Sequence, residues 1–252
     1  MVPREHGAYG QLLVPLMTAL AIGRSRVAAV ALAIAFVAAF LAHEPLLVLL
    51  GQRGARAARD GHRLAVRWLA VFAGIAMLLG GTALMLIDGG VRTALLVPLV
   101  GAAALGTIMT VRREHSSGGE IVAAITLSSL AAPVALAAGS SRIAAMTCAA
   151  VFAAGFALAT IAVREVIAQT RRRTALKRIA IVSAAAAIVA GFVVLSRFGI
   201  LDGAAPLAAV PMCASASALA VAMPAPRHVR RVGWLLVGAT AITGVLLIVG
   251  LR

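Results

Sequence analysis

The sequence predicts an all-α membrane protein, a bundle of about nine spanning helices. The first observation behind this is composition. Of 252 residues, 62% are hydrophobic and only 12% charged, roughly half the charged fraction of an ordinary globular domain. The second is grouping: apolar stretches close to the ~20 residues a span requires follow one another, with the charges confined to the gaps. The third is sorting: nearly every acid and histidine, and most arginines, fall in alternate gaps. Only a bilayer gives successive loops opposite sides. Nine spans with short connections use the whole length, so residues 1–252 are expected to form a single transmembrane helical domain.

The predicted spans are Ala8–Gly23, Val27–Leu49, Leu64–Ile87, Thr93–Val111, Ile121–Ala138, Ile143–Val163, Ile179–Leu195, Ile200–Met223 and Val232–Leu251. Each is bounded by charge or by turn residues. Arg24 and Arg26 part the first two, and Asp88-Gly89-Gly90 and Gly139-Ser140-Ser141 make short turns. Two gaps are long and polar, Gln52–Arg63 and Arg164–Arg178.

Positive charge in short loops marks the cytoplasmic side. With the N-terminus inside, seventeen of the 23 basic residues are cytoplasmic and six external. Glu5, Glu44, Asp60, Glu114, Glu120 and Glu165 then share the cytoplasmic side with all five histidines, leaving Asp88 and Asp202 outside. A multi-pass protein with a cytoplasmic N-terminus and an external C-terminus is the expected topology.

The net charge of +15 and a pI near 11.9 would suggest nucleic acid in a soluble chain. In loops of a bundle the same charge sets orientation and meets anionic lipid headgroups, so no nucleic-acid partner is expected. Cys148 and Cys213 lie inside apolar stretches without metal-ligand spacing. Arg4-Glu5-His6 is a poor start for a cleavable leader, and none is expected. Templates for nucleophilic, zinc and nucleotide chemistry are missing: there is no His-Glu-x-x-His, Cys-x-x-Cys, P-loop or Gly-x-Ser-x-Gly.

Three constellations remain. His43-Glu44-Pro45 precedes the apolar Leu46–Leu50, which sets two ionisable groups within membrane depth. A charge there costs about 2.5–3.5 kcal/mol on insertion scales and faces a partner or a polar cavity. Glu44 therefore reads as a cavity acid or metal ligand, or as half of an arginine salt bridge. Arg164-Glu165, with Gln169 four residues after the glutamate, closes the sixth span before Arg171-Arg172-Arg173-Thr174. Carboxylates on such a face suit Mg²⁺ and the arginines suit phosphate, whereas a plain topogenic loop would look the same. Arg112-Arg113-Glu114-His115 leads through Gly118-Gly119 to Glu120, which reads as a phosphate-side group or a helix-start acid.

Pro3-Arg4-Glu5-His6-Gly7-Ala8-Tyr9, then His43-Glu44-Pro45, then Gly51 to Gly54 with Arg53, resemble the YwiC-like family of bacterial membrane proteins. The likeness implies a bacterial inner-membrane protein of unassigned activity. A more distant resemblance is to UbiA-type intramembrane prenyltransferases. It rests on the nine-span plan with long loops after spans two and six, on Arg164-Glu165 with Arg171 to Thr174, on Gly119-Glu120, and on the basic run from Arg227 to Gly233. It implies a UbiA-like helix arrangement and an isoprenyl diphosphate held with Mg²⁺. The family's Asp-rich motifs are missing or reduced, with His43, Glu44 and Glu165 near their positions.

These readings converge on a polar cavity opening to the cytoplasm. His43, Arg53, Arg112, Glu120 and Arg164 are the expected substrate-binding residues, and Glu44 and Glu165 the expected metal ligands. The ligand would be an isoprenyl or other lipid diphosphate, transferred by a UbiA-like enzyme or only held by a degenerate relative. The alternatives are a non-catalytic lipid- or cofactor-binding protein, and a small transporter with His43 and Glu44 as a proton or metal relay.

Overall fold

The computed structural model describes residues 6–24, 26–110, 116–168, 175–225 and 228–252. Among these residues there are eleven helices and no strand. In chain order they are α1 (His6–Ile22), α2 (Val27–Leu49), α3 (Ala55–Leu86), α4 (Gly89–Ala94), α5 (Leu96–Thr110), α6 (Ser117–Ser129), α7 (Ala131–Ala137), α8 (Arg142–Ala168), α9 (Ala175–Arg197), α10 (Ala205–Ala222) and α11 (Val229–Leu251). Two pairs form single apolar stretches, α4 with α5 and α6 with α7. Each pair breaks three residues before a proline, at Leu95 before Pro98 and at Leu130 before Pro133. A proline lacks the N–H that would close the turn behind it, and its ring crowds that turn's carbonyl. Eight stretches are long and apolar enough to cross a membrane, and Gly7–Ile22 is a shorter ninth.

Helix ends depart from the sequence expectation in several places: α8 runs on to Ala168, past the expected Val163, and α9 begins at Ala175, before the expected Ile179. The gap Gln52–Arg63 is mostly helical, because α3 begins at Ala55 and carries its arginines on a continuous helix. The eighth span begins at Ala205 instead of Ile200. Its preceding residues form a turn, in which Asp202 Oδ1 accepts the Ala204 N–H and the Asp202 N–H donates to Thr147 Oγ1.

The centre of the bundle is α8, which packs against α6, α7, α10, α1, α11 and α9. Half of the apolar window is buried in α8, in α6–α7 and in α10, but only 6% in α3. Helices α3, α5 and α9 are outriggers, packed mainly on α2, α6 and α10 respectively. Small residues allow the central helices to approach closely, the usual means of helix association in lipid. Ala124, Ala145, Ala162, Ala208 and Ala216 are fully buried, and the rings of Phe152 and Phe156 stack at 5.9 Å in the same core.

The two ends of the bundle differ. At the end formed by the close of α1, α7 and α11, the backbones touch. The Arg24 N–H donates to the Ala138 carbonyl at 2.8 Å, and Arg252 Nε donates to the Ala21 carbonyl at 2.8 Å. A Cβ on Gly23 would lie 2.7 Å from the Ala138 carbonyl oxygen, and one on Gly250 2.5 Å from Ala204 Cβ. The opposite end holds the Arg53, Arg164 and Arg230 positions and is far more open.

Candidate functional site

Three helices leave a gap at the arginine-rich end, and each offers it one face. From α1 come Gly7, Gly10, Gln11 and Val14; from α8, Phe156, Ala159, Thr160, Val163, Arg164 and Ile167; from α11, Arg230, Gly233, Trp234, Val237 and Thr240. The steps of three and four residues are those of a single helix face. Glu120 of α6 closes one side and Met212 of α10 forms part of the floor. Two of the α1 residues are glycines, so this wall is thin. The cavity, open on part of its surface, measures about 1340 Å³, above the ~300–1,000 Å³ of most small-molecule pockets.

The cavity has two zones. Arg164, Glu120 and Arg230 lie close to helix ends, with Gln11 and Thr160 about one turn further in. Below them the wall is apolar: Val14, Phe156, Val163, Met212, Leu236 and Val237. Thr240, at the floor, donates its hydroxyl proton to the Leu236 carbonyl of its own helix at 2.7 Å. Deeper still, the core is filled by Phe152, Thr243 and Leu247, and a Cβ on Gly155 would meet Met212 Sδ at 2.6 Å.

The charged pair at the mouth follows from helix ends. Ser116 caps α6, its Oγ accepting the Gly119 N–H at 3.1 Å, which sets Glu120 in the first turn. Arg164 lies about a turn before the end of α8. An acid suits the positive start of a helix and a cation its negative finish. Because α6 packs on α8, the two meet, Arg164 Nη1 to Glu120 Oε2 at 3.1 Å, each side chain about one-third exposed.

The remaining sequence candidates lie elsewhere. Glu44 is held by Arg53 in a two-point contact, Nε to Oε1 at 3.0 Å and Nη2 to Oε2 at 2.6 Å. Gly51 and Gly54 flank this arginine with φ values of +72° and +95°, open to glycine without strain, and the turn at Gly51 after α2 lets Arg53 reach back nine residues. Glu165 is paired with Lys177 of α9 at 2.7 Å. His43, Glu44, Arg53 and Glu165 do not line the cavity. Arg112, Gln169 and Arg171 to Thr174 lie outside the described residues, as do Pro3 to Glu5, Glu114-His115 and Arg227. Among the described residues no group of three or more His, Cys, Asp or Glu side chains is arranged to hold a metal. Glu44 and Glu165, the expected metal ligands, are each engaged with a cation.

The sequence reading missed Gln11, Thr160 and Trp234 as lining residues. The available signal was weak: Gln11 is the one amide in an otherwise apolar first span, four residues after Gly7.

The family described as YwiC-like protein matches residues 2–136, more than half the chain, from α1 into the last turn of α7. The chain belongs to the YwiC-like family. No curated protein and no solved structure matches it, and the likeness to UbiA-type prenyltransferases is not borne out. In this YwiC-like protein the matched part supplies Gly7 to Val14 and Glu120 of the cavity, together with the Glu44–Arg53 clip. Arg164 and the α11 wall come from the remainder.

Proposed function

We propose that this YwiC-like protein is a lipid-binding membrane protein. Its cavity takes an amphipathic ligand with an anionic head, isoprenyl phosphates and diphosphates included, from the leaflet at the arginine-rich end. That end is read as cytoplasmic, in the bacterial inner membrane, by the excess of basic residues there. The division of the cavity carries the proposal: two arginines against one glutamate at the mouth, over an apolar wall. Guanidinium groups match phosphate oxygens in a planar, two-point fashion, and an apolar wall gains by covering an acyl or prenyl chain.

Binding without transfer is the better supported use of the cavity. Departure of a diphosphate calls for cations at the developing leaving group, and neither Glu44 nor Glu165 faces this space. Proton or metal relay through His43 and Glu44 is less supported again, because Arg53 holds both Glu44 oxygens.

The test is the thermal unfolding midpoint of purified protein with geranylgeranyl diphosphate, in chelator and in Mg²⁺, against geranylgeraniol. The diphosphate should raise the midpoint in chelator, the alcohol less, and Arg164→Gln with Arg230→Gln should remove the difference. No shift with either ligand would defeat the lipid reading. A shift seen only with Mg²⁺ would favour the prenyltransferase reading instead.

A further inference from the structure

Helix α3 is the least covered element of the bundle. Its 32 residues rise about 48 Å at 1.5 Å each, against ~30 Å of hydrocarbon. Arg56, Arg59, Arg63 and Arg67, all exposed, fall within an arc of about 80° when each residue turns the helix by about 100°. Asp60, also exposed, borders that arc. Ala65, fully buried, is on the opposite side of the helix, so the arginines face away from the bundle. The same line continues along α3 through Gly74, Met77, Leu78, Gly81 and Met85. Met77 is 77%, Leu78 70% and Met85 86% exposed. One face is thus cationic for three turns and apolar for the rest.

That sequence of chemistry follows the depth profile of an anionic bilayer, headgroups first and hydrocarbon after. Counting back from Leu86, ~30 Å of helix ends at Arg67, and Arg63 stands about 6 Å further out, at headgroup level. We propose that this face of α3 is a binding site for an anionic phospholipid. The phosphodiester head is held by Arg59, Arg63 and Arg67, and the acyl chains run along Met77 and Leu78. Charge near the inner surface fixes orientation wherever it stands in a loop, but that role requires no alignment. Here the arginines share one face, and the uncovered apolar residues extend the same line. An acidic protein would match the arginines alone and leave Met77, Leu78 and Met85 unexplained.

The chain has two tryptophans. Trp68 follows Arg67 but turns away from the arginine face, where it stacks on Phe72, and Trp234 lies on α11. A Trp68→Phe/Trp234→Phe protein with Leu78→Trp, in phosphatidylcholine vesicles, is titrated with dibrominated phosphatidylglycerol or dibrominated phosphatidylcholine, and quenching of the introduced indole is read. The glycerol lipid should quench at about half the mole fraction or less, given roughly 1 kcal/mol per basic residue near the surface. The preference should disappear in Arg59→Gln/Arg63→Gln/Arg67→Gln, survive in part with lysine at the three positions, and weaken in 0.5 M salt. If the triple variant does not insert, Arg63→Gln alone should show a partial loss. Equal quenching by the two lipids, or a preference untouched by these substitutions, would overturn the site. The cavity plays no part in this readout, so failure of either proposal leaves the other standing.

Discussion

Glu44 and Arg53 meet because Gly51, between them, adopts a positive φ, and because Pro45 does not end α2. The carboxylate side chain is only 14% exposed. Hydrogen bonds to charged groups contribute about 1.5–3 kcal/mol, and leaving one buried charge unpaired is costly. Glu44→Gln should therefore lower the unfolding midpoint in detergent, by a loss of about 1–3 kcal/mol. Arg53→Lys should recover only part of it, because a lysine cannot grip both oxygens. A double variant that is no worse than either single would confirm direct coupling. From sequence, Glu44 could be read as a cavity acid, a metal ligand or a salt-bridge partner; the Arg53 pair is what the structure contains. That choice was not visible in residue types. It depends on the backbone turn at Gly51, which has no hydropathy signature.

At the level of elements, hydropathy located the spans well, since apolar length is what a bilayer demands. It misjudged their ends, because polar residues can continue a helix beyond the membrane. The arginines of 53–63 looked like loop, yet most of them ride on α3. The converse occurred at Ile200 and Leu201, apolar residues held in the turn before α10 by the Asp202 bonds. Close approach between elements rests on a few glycines, and these differ sharply in tolerance. Gly23→Ala would drive a Cβ against the Ala138 carbonyl, where backbone cannot yield. Overpacking of this kind costs about 1–3 kcal/mol, and a corresponding fall in the unfolding midpoint is expected. Gly7→Ala, with nothing within 4 Å of its Cβ, should leave the midpoint unchanged, and thermal melts of the two variants side by side check the contrast.

For the whole molecule, charge sorting carried more information than any motif. It separated an end rich in arginine from a plain one before any helix was placed, and the cavity opens at the rich end. Which acids face that cavity was not readable, since helix pairing decides it: Glu120 meets Arg164 only because α6 packs on α8. Nine crossings bring the last helix out on the side opposite the first residue. A reporter enzyme fused after Arg252, active only outside the cytoplasm, should therefore be active. A matching fusion in the α8–α9 loop should be silent, and the reverse pattern would invert the assigned orientation.

The tight packing beneath Phe156 and Met212 closes the inner end of the cavity. A chain that reaches this stop can go no deeper, so added length beyond it stays outside the apolar wall. Lengthening the tail of a guest should then raise the unfolding midpoint only up to that limit and leave it level afterwards.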